Sequence, residues 1–149
     1  MNRNVCALKF MYNMERFATQ IYLTQCRAFT GSEIEDKLKK ASINERQHVE
    51  YLLKRIIELK GGPSRFGFLF QLAGVLMGFM TICLGRLFVL KADTWVEKKA
   101  IKDYGSFVKK LDFDSKTESL LKKIIADEEK HVKTWQTSIK VLKAGINES

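Results

Sequence analysis

Residues 44–62, NERQHVEYLLKRIIELKGG, and residues 127–145, DEEKHVKTWQTSIKVLKAG, hold the chain's two histidines, His48 and His131. Each histidine follows a glutamate by three residues, Glu45 in one stretch and Glu128 in the other. With a displacement of 83 residues the stretches also match at Val49/Val132, Ile56/Ile139, Leu59/Leu142, Lys60/Lys143 and Gly62/Gly145. Upstream of them, ERFATQIY (residues 15–22) answers EKKAIKDY (residues 97–104) with a displacement of 82, and both read E-x-x-A-x-x-x-Y. A chain that repeats a helix pair in this way is constrained to fold as two related hairpins.

The chain's 149 residues suffice for one domain with a core, and one domain over residues 1–149 is expected. A single proline, no alternating strand pattern and few turn signals predict an all-α fold. Four amphipathic helices are read as pairs over about residues 4–60 and 86–143. Ser32 with Glu35 predicts a capping box for the second helix, and Gly61-Gly62-Pro63 its end. Ser115 with Glu118 predicts the cap of the last helix, and Gly145 its end. Residues 66–85, FGFLFQLAGVLMGFMTICLG, are almost wholly apolar and reach the lower length of a membrane span. A span would separate the two helix pairs across a bilayer. The expectation is therefore a four-helix bundle with a crossover over about residues 64–85, buried in the bundle and also contacting a membrane interface.

A net charge of +9 suits an anionic surface, nucleic acid or acidic lipid. The lysines are spread along polar faces, and no nucleic-acid-binding motif accompanies them, so no nucleic-acid partner is expected. Cys6, Cys26 and Cys83 lack paired spacing, which excludes a rubredoxin-type centre and predicts reduced thiols in a cytoplasmic setting. The N-terminal residues do not form a signal peptide pattern.

The repeat predicts a site. With turns near Gly31 and Asp112, Glu15 and Glu45 lie equally far from one turn, and Glu97 and Glu128 from the other. At about 1.5 Å per residue all four carboxylates come to one height, roughly 20–25 Å from the turns. Residues three apart share a helix face, so Glu45 with His48 and Glu128 with His131 point inward together. Four carboxylates and two imidazoles buried without compensation would repel one another. One glutamate from each of two helices, plus Glu-x-x-His from each of the others, is the ligand set of dinuclear carboxylate bundles. Mixed carboxylate and imidazole donors suit iron or manganese. Asn44 and Asp127, each just before a ligand glutamate, are candidates to accept a free imidazole N–H. Tyr22 and Tyr104, seven residues after Glu15 and Glu97, lie on the ligand face as candidate catalytic groups or as core residues.

The chain resembles the demethoxyubiquinone hydroxylases, ferritin-like di-iron proteins of ubiquinone biosynthesis. The most specific stretches are AGVLMGFMTICLG and ADTWVEKKAIKDY, together with Ile21-Tyr22 after Glu15. The resemblance implies a ferritin-like four-helix bundle with two iron ions, Glu15 and Glu97 as terminal ligands and Glu45 and Glu128 as bridging ones. His48 and His131 would each complete one iron. It also implies O₂ as co-substrate, an external electron donor and hydroxylation of a membrane-resident prenylated quinol. Peripheral attachment through residues 66–85 would follow, at the cytoplasmic side of a bacterial cell membrane, with a homo-oligomer allowed. Two positions depart from the family: Lys98 stands where an acidic residue is usual, and Asp103 where a histidine precedes the tyrosine. The alternatives are a rubrerythrin-like peroxidase or ferroxidase, and a non-enzymatic iron-binding protein. The missing paired cysteines weigh against the first, and the apolar segment suits a closed storage shell poorly.

Overall fold

The computed structural model describes residues 3–147 and consists of five helices: α1 (Arg3–Ala28), α2 (Glu33–Glu58), α3 (Gly67–Cys83), α4 (Arg86–Lys110) and α5 (Ser115–Asn147). No strand occurs among the described residues. The expected domain extent includes residues 1, 2, 148 and 149, which lie outside them.

Side-chain pairs give the helix directions. Tyr104 meets Glu15 while Tyr22 meets Glu97, so α1 and α4 are antiparallel. Lys37 reaches Ser138 and Arg55 reaches Thr117, so α2 and α5 are antiparallel as well. Asn13 bonds Ser64, Arg16 bonds Gln71 and Gln25 bonds Thr81, which sets α3 parallel to α1. The apolar crossover is thus itself a helix, laid along the outside of α1.

Three local expectations are corrected. Ser32 caps no amide of α2. Its hydroxyl donates to the Phe29 carbonyl at 2.6 Å, while Glu35 accepts from the Gly31 amide, so the acid reaches one residue past the expected partner. Asp114, rather than Ser115, caps α5 by accepting from the Thr117 amide at 3.0 Å. Helix α5 also runs through Gly145 to Asn147. Gly145 is not in the left-handed conformation that would end a helix there. The end of α2 agrees in place but differs in its residue. Lys60 takes the left-handed φ of 58°, and Gly61 closes the turn by donating to the Ile56 carbonyl at 2.8 Å. A side chain at Gly61 would crowd Ile56 and Val5.

The crossover is corrected too, because it is half-covered rather than buried. Only Gly67, Gly74, Gly78 and Thr81 of α3 are buried, and they face α1. Small residues four apart let two helix backbones approach closely. A Cβ on Gly74 would stand 2.3 Å from the Phe17 carbonyl oxygen. On the other side Phe68, Leu72, Leu76, Phe79 and Met80 are exposed, most of them by more than half. Among the described residues, no helix is long and apolar enough to cross a membrane.

Most of the buried apolar residues fall into two clusters. One includes Leu8, Met11, Leu52, Ile56 and Ile124, and the other Ile21, Leu38, Leu90 and Trp135. Between them lies a layer of buried polar side chains. We expect Gly74→Ala to lower stability by about 1–3 kcal/mol, because the new methyl meets backbone that cannot yield without shifting α3. Urea unfolding measures this loss, and an unchanged midpoint would contradict the close α1–α3 contact.

Candidate metal centre

The repeated Glu-x-x-His faces bring the six predicted residues into one layer. Glu15, Glu45, Glu97 and Glu128 are at most 2 % exposed, and His48 is fully buried. Glu15, Glu45, His48 and Glu128 form one close group, and Glu45, Glu97, Glu128 and His131 a second. The Nδ1 of His48 lies 3.0 Å from Glu128 Oε1 and 3.5 Å from both Glu15 Oε2 and Glu45 Oε2. The Nδ1 of His131 lies 3.0 Å from Glu45 Oε1, 3.0 Å from Glu128 Oε2 and 3.3 Å from Glu97 Oε1. Glu45 and Glu128 therefore touch both imidazoles, whereas Glu15 touches only His48 and Glu97 only His131.

Electrostatics make this arrangement poor on its own. Burial, reinforced by Glu45, raises the Glu15 carboxyl well above its usual range. Burial with Glu128 and Glu45 does the same to Glu97. Burial works against a charged His131, but Glu128, Glu45 and Glu97 push its pKa up to about 12. His48 is likewise raised, its burial outweighed by Glu128, Glu15 and Glu45. Glu45 is lowered, because Glu15 and the two imidazoles outweigh its desolvation. Both Glu45 oxygens, Glu128 Oε1 and His48 Nδ1 still lack a hydrogen bond. Such orphaned, inward-facing donor atoms are what two divalent cations would engage, with oxygen and imidazole chemistry suited to iron or manganese. The residues fit that group.

The surrounding side chains orient these groups. His48 Nε2 faces Asp127 Oδ2 at 3.4 Å, as the sequence suggested. Asn44 lines a cavity with His131 but forms no hydrogen bond to it, so only one of the two repeated positions makes the contact. The tyrosine hydroxyls cross the bundle. Tyr104 donates to Glu15 Oε1 at 2.5 Å, and Tyr22 donates to Glu97 Oε1. Burial and the nearby acids hold both phenols well above their usual range, so they remain donors. Asp103, in place of the family histidine, pairs with Lys99.

Two features escaped the sequence reading. Trp135 Nε1 donates to the Tyr22 hydroxyl at 3.3 Å, and its place four residues after His131 on the ligand face was the available signal. Gln25 Nε2 donates to both Thr81 Oγ1 at 3.0 Å and Asp93 Oδ1 at 2.9 Å, joining α1, α3 and α4. Burial pushes the Asp93 carboxyl up to about 8, partly offset by Gln25. Asp93 lies one turn before Glu97, a spacing that could have marked it.

The profile of the Ubiquinone biosynthesis protein COQ7 family matches residues 8–143, which takes in all six clustered residues. The chain belongs to this family. Membership ties it to ubiquinone biosynthesis and to an oxidoreductase role. No curated protein sequence matches the chain. Among solved structures it is similar to the bacterioferritin-related protein from Bacteroides fragilis, a protein described as a dodecameric thioferritin. That similarity has a TM-score of 0.73 at 20% identity and covers 95% of this chain and 89% of that one. The likeness establishes a ferritin-like fold.

Metal uptake should displace protons, since ligation needs neutral imidazoles and ionised carboxylates. The surroundings raise both histidines as well as Glu15 and Glu97, so each binds its proton more tightly than it would in water. Affinity for Fe²⁺ or Mn²⁺ should therefore fall as pH is lowered. Calorimetry in two buffers of different ionisation enthalpy reads the protons released, and a buffer-independent heat would contradict this electrostatic picture.

Proposed function

We propose that the protein is an O₂-dependent di-iron monooxygenase that hydroxylates a prenylated, demethoxyubiquinol-like quinol at a membrane surface. The observation that carries this reading is the pair of overlapping buried clusters sharing Glu45 and Glu128. Glu15 and His48 would hold one iron and Glu97 and His131 the other, with Glu45 and Glu128 bridging. When bound, the metal pair supplies reductive activation of O₂ with electrons from an external donor.

The protein's part is positional. Tyr104 holds Glu15 Oε1 and leaves Oε2 facing His48, whereas Tyr22 holds Glu97 Oε1, the same oxygen that faces His131. Asp127 fixes the ring of His48 through its outward nitrogen. The two apolar clusters flanking the polar layer limit water around it. Such exclusion protects reactive chemistry from side reactions.

The membrane part of the reading is supported by α3. Its outward face carries Phe68, Leu72, Leu76, Phe79 and Met80, and exposed Arg65 and Arg86 lie just beyond its ends. Apolar side chains flanked by cations suit the interface of an anionic bilayer. An opening beside α3 exists, a cavity of about 370 Å³ whose lining includes Arg16, Thr19, Gln20, Arg46 and Gln71. Its lining comes from α1 and α2 as well as α3 and also includes Tyr12, Leu23 and Val49. Peripheral attachment at the cytoplasmic face of a bacterial membrane is part of the proposal.

The decisive assay supplies iron-loaded protein in vesicles with O₂, an electron donor and the quinol, and follows the hydroxylated ring by mass spectrometry. Glu128→Ala or His131→Ala should lower bound iron from two equivalents and abolish product. Stoichiometric iron in either variant would sink the site assignment. Peroxide turnover without ring hydroxylation would move the protein to the peroxidase class. Leu72→Glu with Phe79→Glu should reduce sedimentation with phosphatidylglycerol vesicles while leaving iron content unchanged.

A further inference from the structure

The internal repeat is broken at one position of chemical consequence. Four residues after His131 stands Trp135, and four residues after His48 stands Leu52. Both are buried, yet only the indole carries a polar atom and can lose an electron. Its Nε1 donates to the Tyr22 hydroxyl at 3.3 Å, and that hydroxyl donates in turn to Glu97 Oε1. The Tyr22 and Trp135 rings are 5.6 Å apart with planes tilted by 33°, and the Tyr22 ring is 6.5 Å from that of His131. The related phenol, Tyr104, bonds Glu15 and the Met11 carbonyl instead, with no indole partner. One half of the repeat thus ends at a tyrosine, and the other continues to a tryptophan.

The continuation leads outward. Trp135 is only 1% exposed, but it lines a surface cavity of about 390 Å³ together with Lys37, Lys40, Asn44, Lys130 and His131. The lining carries three lysines against one carboxylate, Asp127, which pairs with Lys130 at 2.7 Å.

We propose that Tyr22 and Trp135 form an outlet for oxidising equivalents, which passes single electrons from this lysine-lined cavity to the carboxylate–imidazole site when no quinol is there to be oxidised. The proposal rests on the O₂-dependent metal reading above. The oxidant is the O₂-oxidised metal pair. Tyr22 gives it one electron, and the phenolic proton passes along the existing hydrogen bond to Glu97. Trp135 then returns one electron to the phenoxyl oxygen, with the proton of the Nε1–H that already points at it. Tyr22 is restored, and Trp135 is left as a neutral indolyl radical. A small anionic one-electron reductant of the ene-diol or thiolate class, attracted by Lys37, Lys40 and Lys130, supplies the last electron and proton at the cavity. Each cycle moves one electron and one proton inward, the proton coming to rest on Glu97, and restores both Tyr22 and Trp135.

The experiment mixes anaerobic Fe²⁺-loaded protein with O₂ in the absence of quinol and follows radicals by freeze-quench EPR. Iron content and O₂ uptake are measured on the same samples. A Trp95→Phe background leaves Trp135 as the sole tryptophan, and ring-deuterated tryptophan in that background labels it without changing its structure. The expected result is an organic radical whose hyperfine pattern responds to the deuterium and which decays faster when ascorbate is added. Trp135→Phe should lose the indole signal and leave a tyrosyl one, and Tyr22→Phe should lose both. Protein that takes up two irons and consumes O₂ without a deuterium-sensitive radical would overturn the outlet and leave the metal reading standing. Failure to take up iron would overturn both.

Discussion

Four carboxylates meet inside this bundle at a depth where none of them has water to share its charge. Everything nearby answers to that concentration of negative charge. The imidazoles are drawn toward protonation, Glu15 and Glu97 away from ionisation, and two phenols bridge the bundle to hold one oxygen each of Glu15 and Glu97. The orphaned oxygens of Glu45 and Glu128 remain even so. Protons are a poor substitute for metal here, because they neutralise charge without engaging every lone pair. The polar layer also divides the apolar core, so each cluster must hold its own end of the bundle.

The clustering of these six side chains was legible because helical geometry is periodic. Glu45 with His48 and Glu128 with His131 fall on one face by spacing alone, and matched distances from the turns bring Glu15 and Glu97 to the same height. The contact between His48 and Asp127 followed from the same repeat. What the spacing did not disclose was contact across helices. Neither the bond from Trp135 to Tyr22 nor the Gln25 link to Asp93 and Thr81 has a local signature, since each depends on which faces of α1, α3, α4 and α5 meet.

The fold was readable to a similar depth. Four helices and a crossover follow from amphipathic runs and punctuation, but the helical state of the crossover did not, and capping chemistry was misassigned at two starts. At α5, Asp114 outcompetes Ser115 because its carboxylate reaches the Thr117 amide from the preceding residue. The uniformly apolar segment suggested burial, and its pattern of glycines held the finer answer. Gly74 and Gly78 form the packed stripe, and the larger side chains are turned outward.

That stripe acts as a spacer. With backbones in contact at Gly74 and Gly78, α3 cannot ride up or down on α1 by more than side-chain slack, and α1 carries Glu15 and Tyr22. Whatever covers the outer face of α3 is held about 13–16 Å from the axis of α1, one interaxial spacing plus one helix radius. The reach needed to enter the bundle is therefore set by the protein and is the same for every ligand arriving from that side.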